Sequence, residues 1–235
     1  MAYLFWANVQ RVQDVVLRMN HVSFSVRNLQ NFGPAPSAAV CSSDGEQLSS
    51  WRFREFICDG SRFEPYMTES WMSVANLEFH NLRPYEYCFS SSEQTRVFAV
   101  VGSGTAFDPT LVETWDAVPP NMIVLIEAHN IDAHWMEPME MDVVPVFDQL
   151  KNGLLGDWVG TNEYVIIGFA DGEVWRLNAK TPLSTLRQFL NVELAKVSNR
   201  KKELGTWRLN EKNKNKVSST VYGFDAAKTD FKSPE

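Results

Sequence analysis

The sequence of 235 residues is poor in the residues from which most catalytic and metal sites are built. Its three cysteines, Cys41, Cys58 and Cys88, form no CxxC pair, which argues against a cysteine zinc site. They leave open one disulfide beside a free thiol, or three reduced thiols. There are four histidines and no HExxH, no EF-hand loop and no glycine-rich phosphate cradle. "VGSGTAF" sets Ser103 between two glycines but is not GxSxG, so the strained elbow of a hydrolase serine is not specified and the glycines read as a bend. Cys88 has no activating base near it in sequence, and His21 and His80 read as polar surface or packing. No catalytic residue is assigned, and the chain is not expected to be an enzyme. No run of 18 apolar residues occurs, and "MAYLFWANVQ" is too short for a signal peptide, so the chain as written is expected to be soluble.

What is present is core. Hydrophobic residues make up 44% of the chain and aromatic residues 12%, enough to fill one substantial domain. The net charge of −7 is unevenly spread: residues 1–198 carry 13 Lys+Arg against 24 Asp+Glu, and 199–235 carry 9 against 5. An acidic body argues against nucleic acid as a partner, because phosphate binding needs clustered positive charge. The basic stretch 199–235 reads as a solvated, flexible tail.

Periodicity gives the layout. Phe5, Val9, Val12, Val16, Met19, Val22, Val26 and Leu29 step by three or four, which predicts a long helix over 3–31 with one apolar stripe, ended by Gly33, Pro34 and Pro36. An irregular middle follows over 37–95, with a short helix in 73–83 and an element of unsettled type in "SSWRFREFI". Residues 96–178 hold the strands of an antiparallel sheet: "RVFAVVG", the continuous apolar "NMIVLIEA" of a strand covered on both faces, and the hairpin "YVIIGFADGEVWRL". A turn or two of helix fits 142–151. Thr181-Pro182 opens a helix running to 197, with Leu183, Leu186, Leu190 and Leu194 on one side. The order is α+β.

Two places invite a chemical reading. "EAHNIDAHWMEPMEMD", 127–142, brings Glu127, His129, Asp132, His134, Glu137, Glu140 and Asp142 close in sequence; carboxylates and imidazoles suit a divalent cation, calcium or a transition metal, with Glu127, His129, Asp132, His134 and Glu137 as the candidate ligands. No recognised ligand spacing accompanies them, and an acidic surface loop packed on Trp135 and the methionines explains the same residues. The second place is Asp171-Gly172. Asp171 can bond its own turn and Gly172 can supply a positive φ, so hairpin chemistry accounts for the pair.

The ordered segments "SFSVRNLQNFGPAP", "DGEQLSSWRF", "TESWMSVAN", "RPYEYCFSS", "FAVVGSGTAF", "HWMEPMEMD" and "GFADGEVWRL" resemble, from about residue 20 to 197, the planctomycete family called domain of unknown function 1559. That family is pilin-like, with prepilin-type processing and a C-terminal signature of His, nine residues, Asp-Gly. The resemblance implies a pseudopilin-like fold, a long amino-terminal helix packed on an antiparallel sheet. It further implies a structural or interaction role in the cell envelope or secretion, with homologous pilin-like subunits or envelope proteins as partners. The chain departs from it in three places. "AYLFWA" stands where a membrane half-helix is expected, so a membrane role is expected only if such a half-helix lies upstream; the signature histidine falls on Thr161; and the proline after Cys88 is Phe89.

Overall fold

The computed structural model describes residues 17–20, 22–23, 25–26, 37–58, 67–82, 84, 87, 93–143 and 153–209. Within these, β1 (Ala39–Cys41) and β2 (Gln47–Ser50) pair antiparallel and lead into the helix α1 (Trp51–Cys58), so "SSWRFREFI" is a strand end and a helix. A 3-10 turn, Val74–Asn76, runs into α2 (Leu77–His80), as the spacing over 73–83 predicts. The strands β3 (Gln94–Thr95) and β6 (Ala133–His134) form a small antiparallel ladder.

The centre is a five-stranded sheet in the order β7-β4-β5-β8-β9, built from β4 (Val97–Val101), β5 (Ile123–Glu127), β7 (Met141–Asp142), β8 (Tyr164–Phe169) and β9 (Val174–Asn178). All its pairings are antiparallel except β7 on β4, which is parallel. All five residues of β5 are buried, which explains its apolar run: one face meets Trp51, Phe53, Trp135 and the amino-terminal valines, the other Leu155 and Trp158 of the helix α3 (Leu155–Val159), Leu183, Leu186 and Phe189.

The described residues of the amino-terminal segment, 17–20, 22–23 and 25–26, are helical, and the remainder of the expected helix over 3–31 lies outside the described residues. Val22 and Val26, members of the apolar stripe, are fully buried. They sit on Gly168, where a Cβ would come within 2.6 Å of Val26 Cγ2 and 2.9 Å of Val22 Cγ1. Arg18, one turn before Val22, reaches Tyr164. The contacts thus pass from Tyr164, at the start of β8, to Gly168, near its end, as the segment goes from Arg18 to Val22 and Val26, so its described residues follow the direction of the strand.

Two expectations are corrected. The stretch 181–197 is not one helix: α4 (Leu183–Leu186) passes into a 3-10 turn (Arg187–Phe189), and Asn191 then caps a separate α5 (Val192–Val197) by accepting from the amides of Glu193 and Leu194. The new cap resets the helical phase, so Leu183, Leu186 and Leu190 are buried while Leu194 is 43% exposed. The Val192 amide donates to the Gly104 carbonyl, and Gly104, at φ +84° and with Asn191 Nδ2 2.4 Å from where a Cβ would be, lets the two segments meet. The flexible tail expected over 199–235 is corrected over its first eleven residues. Residues 199–209 belong to the body: α6 (Arg200–Glu203) is capped by Asn199, Leu204 is fully buried, and Trp207 and Leu209 bond the main chain of β9. Residues 210–235, and 144–151 of the expected 142–151 helix, lie outside the described residues.

Candidate functional site

The acidic segment 127–142 leaves β5, crosses β6 and returns as β7, and that path separates its side chains. Glu127 closes β5 with no exposed surface; its Oε2 accepts from the Arg18 guanidinium at 2.5 Å, and its Oε1 lies 3.6 Å from His129 Nε2. Arg96 donates to His129 Nδ1, and since a guanidinium only donates, the imidazole proton stands on Nε2, toward Glu127. Burial raises the Glu127 pKa, but the His129 ring and the Arg18 charge outweigh it and hold the carboxyl below its ordinary value. Arg18 also donates to Tyr164 Oη at 3.0 Å and, like Arg176, stacks 5.2 Å from the Tyr164 ring centre.

His134 faces another way. Its Nδ1 accepts from the Met136 amide and its Nε2 donates to the His80 carbonyl at 3.1 Å, while the ring stacks on Trp71 at 5.1 Å and lies 5.0 Å from the His80 ring. Burial lowers its pKa. Glu137 accepts from the His134 amide, and Asp132 is exposed. Among the described residues no three His, Cys, Asp or Glu side chains come together as a metal ion requires. The five candidate ligands are thus divided between a salt-bridged cluster under the amino-terminal helical residues, a ring stack, a backbone cap and solvent. Of the cysteines, Cys41 is exposed with a free thiol.

Glu140 belongs to a third arrangement, around Arg52. That arginine is completely buried and makes five hydrogen bonds: Nε to the Trp135 carbonyl, Nη1 to the Val97 carbonyl and Glu140 Oε2, and Nη2 to the carbonyls of Glu137 and Met139. Glu140 also accepts from the Ala99 amide at 2.6 Å. Burial pushes the Glu140 carboxyl up to about 7, against the opposing pull of Arg52. The segments "SSWRF", "RVFAVVG" and "HWMEPMEMD", far apart in the chain, therefore meet on one guanidinium. Trp71 joins the neighbouring ring stack, and Tyr87 Oη donates to Glu55 while its ring packs edge-on against Trp51.

Asp171 has two tasks. Its Oδ1 accepts from the Glu173 amide at 3.0 Å, and Gly172 takes φ +85°, as hairpin chemistry predicts. The same carboxylate also receives a two-pronged hydrogen bond from Arg200, at 3.1 and 2.7 Å, and Arg200 lies 3.1 Å from Glu173 and 4.2 Å from the Phe169 ring centre. Thr161 precedes β8 and Asp171 follows it. Five strand steps alone separate the two ends by roughly 17 Å. A histidine at 161 would not touch Asp171.

Arg18, Arg52 and Arg200 organise these clusters, and sequence reasoning assigned a role to none of them. Arg52 had a signal, a cation flanked directly by Trp51 and Phe53, which Arg54 in the same run diluted; Arg200 was masked by the lysines beside it. No protein-family model, no curated protein and no solved structure matches the chain.

Proposed function

We propose that this chain is a non-enzymatic structural or interaction protein of the cell envelope, pilin-like in build, which associates with homologous subunits or other envelope proteins. The observation that carries the reading is the seating of the amino-terminal helical residues along β8, with Val22 and Val26 on Gly168 and Arg18 on the buried Glu127. A helix laid on an antiparallel sheet is the arrangement that the resemblance implies. The side chains with chemical potential support it too, because Glu127, His134, Glu140 and Asp171 are spent on bracing main chain and partner side chains.

The test is fractionation of the native host with in-cell cross-linking of an epitope-tagged chain. Recovery in the envelope fraction with a ladder of cross-linked multimers supports the reading. An uncross-linked chain confined to the cytosol sinks it.

A further inference from the structure

In the five-stranded sheet β9 is the last strand, and among the described residues its outward edge is covered by 207–209 alone. The Asn178 amide donates to the Trp207 carbonyl, and the Leu209 amide donates to the Arg176 carbonyl, both at 2.9 Å. Leu177 and Arg208 are thus opposed in an antiparallel bridge. An unpaired edge is a template for another chain, and covering it is one way of preventing association. The cover is fastened at its start: Arg200 grips Asp171 and Glu173, Leu204 is buried, and the Trp175 ring centre has the Arg200 guanidinium at 5.2 Å and that of Arg208 at 4.4 Å.

What the cover satisfies is one donor and one acceptor, Asn178 N–H and Arg176 C=O, on either side of Leu177. A two-fold axis through Leu177 lets two copies satisfy each other with those same groups, Asn178 of each donating to Arg176 of the other. That register places Arg176 opposite Asn178 and Trp175 opposite Ala179, so no like charges meet, and Leu177 packs against its own copy on the apolar face.

We propose that residues 199–209 guard a self-complementary sheet edge, and that the partner fitted to this edge is a second copy of the chain, β9 against β9. The Asp171–Arg200 pair is the fastening of the guard. The inference rests on the edge geometry and is independent of the envelope reading, so either can fail alone.

The experiment is sedimentation velocity over a concentration series on the full chain, on Arg200→Gln and on Arg200→Gln with Asn178→Pro, each checked for folding by near-ultraviolet dichroism. Release of the guard should double the native mass of Arg200→Gln in a concentration-dependent way. Proline at 178 removes the outward N–H without touching the β8 pairing and should abolish the doubling, as should an added peptide spanning 199–209. A folded Arg200→Gln chain that keeps the native mass overturns the proposal. So does an association indifferent to both the proline and the peptide. If Arg200→Gln does not fold, Arg200→Lys, which retains the charge but loses the two-pronged grip, is read by the same criteria.

Discussion

Arg52 and Glu140 show how much one residue can hold. Arg52→Met would remove the ion partner of the buried Glu140 and one donor from each of four main-chain carbonyls. Breaking a buried pair from one side costs about 3–5 kcal/mol, and urea unfolding should record a loss of that order. Glu140 also sets a pH dependence. Its folded pKa, about 7, lies above the ordinary 4.5, so the stability it contributes is complete below the ordinary value and is lost as pH rises through the folded one. The stability difference between the native chain and Glu140→Gln should therefore shift against the native chain from about pH 5 to about pH 8, as measured by unfolding at both ends. Thr161→His places a histidine where the signature of the family it resembles has one, yet a double-mutant cycle with Asp171→Asn should give a coupling within about 0.5 kcal/mol of zero, since β8 stands between them. A larger coupling would contradict the strand geometry.

At the level of elements, the contact between the amino-terminal helical residues and β8 turns on the missing side chain of Gly168. Gly168→Ala forces a methyl against Val22 and Val26 and should cost about 1–3 kcal/mol, read as a lowered Tm. Val26→Ala in the same chain should recover part of that loss, a non-additivity that a contact elsewhere would not produce. The sequence made β4, β5 and the β8–β9 hairpin legible because their burial patterns are local, an unbroken apolar run or an alternation around Asp171-Gly172. It misplaced 181–197 for an equally local reason: leucines continue at helical spacing across a break that Asn191 and the incoming Gly104 carbonyl impose from another part of the fold. Charge in 199–209 suggested solvent, whereas Leu204 and the stacked guanidiniums of Arg200 and Arg208 hold that stretch on β9.

For the whole molecule, the carboxylates and imidazoles of 127–142 are close in sequence and apart in space. A strand, a ladder and a return strand carry them to different surroundings, and no composition or spacing encodes that divergence. With the five candidate ligands already divided, a chelator should leave the thermal melt unchanged; a fall in Tm on chelation would restore the cation reading. Acid should act more strongly. Glu127 and Asp108 have lowered pKa values, the first because its ion partners overcome burial and the second chiefly through the Thr110 hydroxyl, so their stabilisation is present above their ordinary values and lost as pH falls through the folded ones. His134, lowered by burial, loses its share as pH drops below 6.5. An acid titration followed by tryptophan fluorescence should show cooperative loss of structure on that side, and His134→Gln should move the onset to lower pH.

Four of the five bonds made by Arg52 end on main-chain oxygens, three of them at alternate positions 135, 137 and 139. Carbonyl oxygens are the same in every amino acid, so the residues presenting them can be exchanged in evolution while the spacing between them cannot. Insertions or deletions in that stretch should be far more damaging than substitutions at 137 and 139, and lineages sharing this clasp can drift until their letters no longer align.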